Sequence, residues 1–126
     1  MPGRWSEDYV AHVLRPNFAQ AKRYLFKPLM LVNKAHAVML KQCQLISSDD
    51  ARVLLTALED IDRTGSRAYA YNEAYEDLYF AIEARLIELT GDLGGNLQIA
   101  RSRNDIDAAM IRMVIREAVL GLLEVV

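Results

Sequence analysis

The sequence predicts an all-α fold. Apolar residues recur at steps of three and four along most of the chain, while the strict alternation of a half-buried strand is scarce. Serine and aspartate residues stand where helix starts are wanted, and glycines stand where helices must stop.

Each helix can be argued from its own residues. Ser6 suits the N-cap of a short first helix, and Pro16 disfavours helix in the residue before it, so this helix is expected to end near Leu14. Leu25, Leu29, Val32, His36, Met39, Leu40 and Cys43 then form one stripe of a long second helix, with Pro28 in its first turn. Ser47 or Ser48, followed by Asp49 and Asp50, places carboxylates near the positive end of a third helix. That helix turns Val53, Leu54, Ala57, Leu58 and Ile61 inward and stops at Gly65, and residues 64–72 read as a loop. Tyr75, Leu78, Tyr79, Ile82, Leu86 and Leu89 share one side of a fourth helix, closed by Gly91 in a left-handed conformation. Residues 91–103 read as an ordered, glycine-containing loop, after which Asn104 or Asp105 can cap a last helix running to the end of the chain.

The last helix has an unusual pattern. Ile106, Met110, Met113, Val114, Val119, Leu120, Leu122, Leu123, Val125 and Val126 are spread around it instead of along one stripe. A helix apolar on most sides needs neighbours on most sides, since each large apolar side chain left in water forgoes roughly 1.5–3 kcal/mol of burial. No Gly, Asn or Pro stops it after Val125 and Val126. The expectation is a helix that continues in a longer chain or packs against copies of itself.

Composition narrows the function classes. A chain of 126 residues holds one domain with a modest core. Fifteen basic against seventeen acidic residues give a net charge of −2, which argues against a nucleic-acid surface. Cys43 is the only cysteine, which suits a reducing cytoplasm, and neither a signal peptide nor a membrane span is expected. Two histidines without paired ligand spacing make a metal site unexpected, and no cofactor is expected. Ser47 and Ser48 have no nearby base and read as a cap, while residues 91–95 lack the Lys-Ser or Lys-Thr of a phosphate loop. His36 reads as a satisfied core histidine, and His12 as a surface residue.

The densest polar cluster is Arg101-Ser102-Arg103-Asn104-Asp105, at the junction of loop and last helix. Guanidinium groups bind carboxylates bidentately, a hydroxyl and an amide add directional bonds, and a helix start adds partial positive charge. Such a set suits a di- or tricarboxylate. The same residues also make sense as a capped helix start with two solvated arginines.

Three strings bear on that choice. Gly94-Gly95-Asn96-Leu97-Gln98-Ile99-Ala100-Arg101-Ser102-Arg103-Asn104-Asp105 resembles the G-x-x-H-T-G-R-S-R-N-D loop of argininosuccinate lyases. Tyr75-Glu76-Asp77-Leu78-Tyr79, Glu83, Arg85-Leu86-Ile87-Glu88-Leu89 and Gly91 resemble that family's E-D-I-H-x-x-x-E-x-R-L-I-E-x-x-G helix. Asn33-Lys34-Ala35-His36, Leu40 and Leu45-Ile46-Ser47 resemble its S-x-A-[HY]…L…G-[IL]-[LI]-[ST] segment. The three lie in the family's order with similar spacing.

The resemblance to this member family of the fumarase/aspartase superfamily implies the amino-terminal helical domain of a lyase over residues 1–104. Residues 105–126 would then start a long central-bundle helix. It implies a β-elimination that releases fumarate from an N-substituted aspartate, in a cytoplasmic homotetramer whose sites combine several subunits. Ser102, Arg103 and Asn104 would contact the fumarate portion of a small polycarboxylate substrate. Arg101, Asp105, Asp77 and Tyr79 would support them. The departures are Gln98 and Ile99 in place of the histidine and threonine of H-T-G, and Tyr79 in place of the histidine of E-D-I-H. They bear on the amine end of the substrate, so another aspartate adduct such as ethylenediamine-disuccinate competes with argininosuccinate. The family's proton-abstracting serine belongs to a later Gly- and Ser-rich loop. No catalytic residue is therefore assigned among these 126, and turnover by them alone is not expected. A non-catalytic helical assembly unit is the reading of a different class.

Overall fold

The computed structural model describes residues 5–126; residues 1–4, on which the reading of the chain start partly rests, lie outside the described residues. Every element among the described residues is helical: α1 (Glu7–Tyr9), α2 (Arg15–Tyr24), α3 (Phe26–Gln42), α4 (Ser48–Thr64), α5 (Leu78–Thr90) and α6 (Arg103–Val125). The all-α expectation holds.

The first helix does not stop at Leu14. A π-helical turn, Val10–Leu14, joins α1 to α2, and Pro16 sits in the first turn of α2. A π-turn inserts one residue into the helical ladder, and at the start of a helix the missing proline N–H costs little. The break anticipated at Pro16 becomes a local widening. Ser6 caps α1 as expected, its hydroxyl accepting from the Tyr9 N–H at 3.3 Å.

Pro28 lies in the first turn of α3. The inward stripe of this helix is rotated from the anticipated one: Phe26, Leu29, Met30, Asn33, Ala37 and Leu40 are buried, whereas Cys43 is exposed and His36 half-buried. α4 begins with a capping box in which the Ser47 hydroxyl accepts from Asp50 N–H and the Asp50 carboxylate accepts from Ser47 N–H. It buries Leu54, Ala57, Leu58 and Ile61, with Val53 exposed. Lys34 on α3 meets Asp62 at 2.7 Å and Glu59 at 2.6 Å on α4, and Lys27 also pairs with Asp62, so the two helices run antiparallel.

Residues 66–68 form a single 3₁₀ turn in the loop after α4. α5 starts later than its apolar pattern suggested: Asp77 is the N-cap, Tyr75 precedes the helix, and Leu89 is exposed. Gly91 ends α5 with φ 65°, a conformation that favours glycine. The segment read as a loop is in part a 3₁₀ stretch, Gly91–Gln98, folded back on α5. At Gly94 a Cβ would lie 2.9 Å from Thr90 Oγ1 and 3.0 Å from the Ile87 backbone, so the close approach admits only glycine.

One core, with Leu29, Met30, Leu58, Ile82, Leu97 and Ile106 among its buried members, unites α2 through α6. α6 joins it through Ile106 and Met110 alone, packed against α3. Beyond Val114 every residue of α6 is exposed, including Leu122 at 64% and Leu123 at 65%. No helix among the described residues is long and apolar enough to cross a membrane.

Candidate functional site

The start of α6 is set by Ser102, not by Asn104 or Asp105. Ser102 has extended backbone (φ −119°, ψ 165°) and forms a capping box with Asp105. Its N–H donates to Asp105 Oδ2 at 2.9 Å, its hydroxyl donates to the same oxygen at 3.1 Å, and Asp105 N–H reaches back to the hydroxyl at 3.5 Å. The serine one turn before an acid gave this signal in the sequence. The adjacent Asn-Asp pair, equally good cap formers, masked it.

That cap sends the two arginines in opposite directions. Arg101 precedes the helix and turns inward, where Nη1 donates to Asn33 Oδ1 at 2.9 Å and Nε to Gln98 Oε1 at 3.4 Å. Its Nη2 is buried with no hydrogen-bond partner. Burial holds the Arg101 guanidinium below the ordinary arginine value.

Arg103, in the first turn of α6, turns outward. Its Nη2 donates to Asp77 Oδ2 at 2.7 Å and its Nε to Asp107 Oδ1 at 2.9 Å. Burial alone would lower its pKa; the two carboxylates outweigh it and keep the guanidinium charged. The guanidinium carbon sits 4.3 Å from the centroid of the Tyr79 ring and 5.9 Å from that of Phe80, a cation–π arrangement. Asp77 does two things at once, since its other oxygen caps α5 by accepting from Phe80 N–H at 3.1 Å.

Tyr79 links the two arginines. Its ring lies under Arg103, and its hydroxyl donates to Gln98 Oε1, the oxygen that also receives Arg101 Nε. Burial raises the Tyr79 phenol above its ordinary value, so it stays a neutral donor. His36 closes the inner side, its Nε2 2.8 Å from the Ile99 carbonyl. Burial lowers the His36 pKa, and a nearby Arg101 charge acts in the same direction.

A cavity of about 570 Å³ opens beside Arg103, between the α1–α2 segment and α6. Arg103, Asp77, Asp107 and Glu76 give it its charge, and Tyr9, Asn17, Gln20 and Tyr24 line the facing wall. The structure thus brings together Arg103, Asp77 and Tyr79. Arg101 braces the interior, and Ser102, Asn104 and Asp105 do not line this cavity. The exposed Asn104 side chain makes no hydrogen bond among the described residues.

Asp107 was not singled out from the sequence, and Asn33 and Gln98 entered only as motif positions, without these contacts. Asp107 was findable, because it stands four residues after Arg103 on one helix face. Asn33 and Gln98 were not, because their roles depend on contacts 68 and 19 residues away in sequence. Ala100, where the resembling motif has glycine, adopts φ 59°, a conformation that an L-residue enters at a cost.

Chemically, Arg103 is a fixed cation at a cavity mouth with two of its nitrogens committed. Its Nη1 donates to no group among the described residues and is free to meet a ligand oxygen. The three carboxylates around it favour a ligand that also carries positive charge.

No family model matches the chain. Individual relatives do. The chain is 37% identical over 122 residues to argininosuccinate lyase 1 of Shouchella clausii, covering 96% of this chain and 24% of that protein. It is 40% identical over 106 residues to the argininosuccinate lyase of Methanosarcina acetivorans, covering 83% of this chain and 21% of that protein. It is 41% identical over 104 residues to the argininosuccinate lyase of Natronomonas pharaonis, covering 82% and 21%. The chain therefore spans less than a quarter of the length of these curated relatives. With identity of this order along most of its length, the chain is similar to argininosuccinate lyases over that part of their sequences.

Proposed function

We propose that these residues form part of the substrate site of a carbon–nitrogen lyase that eliminates fumarate from an N-substituted aspartate, argininosuccinate being the first substrate to test. The observation that carries this reading is Arg103, held between Asp77 and Asp107 at a cavity mouth with Nη1 unengaged. In such a reaction a base removes a proton from the succinyl carbon next to a carboxylate. Charge builds on that carboxylate, the C–N bond breaks, and the amine leaves. A fixed guanidinium stabilises the developing charge without reorganising, which is the efficient way to lower that barrier. Ser102 and Asn104 flank Arg103 in sequence but lie off this cavity, so a part for them in holding the fumarate portion would need the Ser102 hydroxyl to leave Asp105 and the free Asn104 amide to turn toward the ligand. Glu76, Asp77 and Asp107 suit the cationic amine end. The base is not assigned to any of these residues.

Fumarate release by the full-length gene product, followed by ultraviolet absorbance, tests the proposal. Arg103→Ala should lower kcat/KM by about a hundredfold or more. Absence of fumarate from every aspartate adduct tried would sink it. Gln98, Ile99 and Tyr79 make ethylenediamine-disuccinate the second substrate for that assay, and the relative kcat/KM values decide between the two amines.

A second reading is favoured by α6, whose exposed apolar side chains after Val114 ask for a partner. On this reading the chain acts as a helical assembly unit, in a homotetramer if the family's architecture applies. Sedimentation of the purified chain as a clean monomer at micromolar concentration would remove it.

A further inference from the structure

On another face, the end of α2, the start of α3 and the turn after α4 enclose a cavity of about 330 Å³. Lys22, Arg23, Lys27 and Arg67 line it together with the hydroxyl residues Thr64 and Ser66, and its wall contains no carboxylate. We propose that this cavity binds a small multivalent phosphate anion. It lies outside the fumarate site and does not depend on the lyase reading.

The charges there are only partly spent. Lys22 donates to the Tyr69 carbonyl, a neutral acceptor that leaves its charge uncompensated. Arg23 stacks 5.1 Å from the centroid of the exposed Tyr24 ring. Lys27 pairs with Asp62, but Asp62 is shared with Lys34. The Arg67 and Ser66 side chains have no partner among the described residues. The C-termini of α2 and α4 lie alongside, and each helix end contributes roughly half a negative charge. Those ends and Asp62 together offset about two of the four positive charges, leaving about two for a ligand.

Geometry selects phosphate over carboxylate. A carboxylate is planar and is best gripped edge-on by one guanidinium fork. Here two lysines, two arginines and the free Ser66 hydroxyl line the cavity from three different elements, with the Lys22 and Lys27 ammonium groups bonded at its edge to Tyr69 and Asp62. That arrangement surrounds a tetrahedral oxyanion instead of clamping a plane. Tyr24 lines both this cavity and the one beside Arg103, so the two sites share a wall.

Titration of the 126-residue chain with inorganic pyrophosphate, followed by backbone amide NMR near physiological salt, tests the proposal. The expected result is a saturable set of shifts confined to residues 22–27 and 64–69. Arg67→Gln should weaken binding about tenfold through loss of one charge-assisted contact. Arg112→Gln, an exposed position on α6, should leave binding unchanged, and citrate should bind at least about tenfold more weakly. Three results would each overturn the assignment: no saturation by about 10 mM; shifts that extend to Arg112 and Arg116 and survive Arg67→Gln; or citrate binding as tightly as pyrophosphate. The amide spectrum of each variant reports at the same time whether it is folded.

Discussion

Replacing Asn33 with leucine isolates the contact that holds Arg101 in the interior. Asn33 is 3% exposed and is the one buried polar side chain among the described residues, and its Oδ1 receives Arg101 Nη1 at 2.9 Å. Leucine keeps the volume but removes the acceptor. The guanidinium then has Nη1 and Nη2 both unpaired, with only the 3.4 Å contact from Nε to Gln98 left. A hydrogen bond to a charged group contributes about 1.5–3 kcal/mol, so Asn33→Leu should cost about 2 kcal/mol, or about 8 °C in Tm. Arg101→Met alone should cost about 1–2 kcal/mol by orphaning the Asn33 amide. The double variant replaces a polar pair by two apolar side chains and should fall within about 1 kcal/mol of the parent. Urea unfolding followed by circular dichroism gives the cycle directly. Strict additivity of the two changes, or an Asn33→Leu protein as stable as the parent, would show that the guanidinium is hydrated and the contact idle.

Three other outcomes follow from particular residues. Ala100→Gly should raise stability by about 0.5–1 kcal/mol, because relief of an L-residue at φ 59° exceeds glycine's added entropy in the unfolded chain; thermal unfolding measures it. Burial would raise the Asp62 carboxyl, but Lys27 and Lys34 outweigh it and hold it below the usual carboxylate range. A depressed carboxyl stabilises fully above its unfolded pKa and ceases to as pH falls through its folded value. The advantage of the parent over Asp62→Asn, about 1 kcal/mol, should therefore persist from pH 7 to about 5 and shrink below about 4 in urea titrations at each pH. Leu122→Glu with Leu123→Glu should change the stability of the single chain by less than about 0.5 kcal/mol, since both are exposed, while lowering any self-association seen by sedimentation.

Legibility in the sequence tracked how local each determinant is. Ser6, Ser47, Gly65 and Gly91 end or begin helices through contacts within one turn, and each was readable. The continuation past Pro16 was not, because a π-turn is a backbone accommodation with no side-chain signature. The inward face of α3 lies one residue away from the stripe its apolar pattern predicts, because the buried Asn33 looks polar in a pattern of apolar residues. Burial of that amide makes sense only once Arg101, 68 residues later, is known to meet it. At the candidate site, the Arg101–Asp105 string drew attention to itself, but the adjacent Asn104-Asp105 pair masked the feature that separates an arginine turning inward from one turning outward. The Ser102 cap decides that, by placing Arg101 before the helix and Arg103 within it.

Tyr79 and Gln98 stand where two of the resembling motifs carry histidine, and in this chain they bond to each other. The two positions are therefore physically coupled here. A phenol raised by burial remains a neutral donor across physiological pH, whereas an imidazole in its place would titrate there. Gln98 can accept from both the Tyr79 hydroxyl and Arg101 Nε because its amide oxygen carries two lone pairs, and no proton has to be shared. The pair thus joins the buried Arg101 to the ring that supports Arg103 through groups that do not change charge. On this geometry, the orientation of the outward guanidinium is insulated from pH by the very residues that depart from the motif.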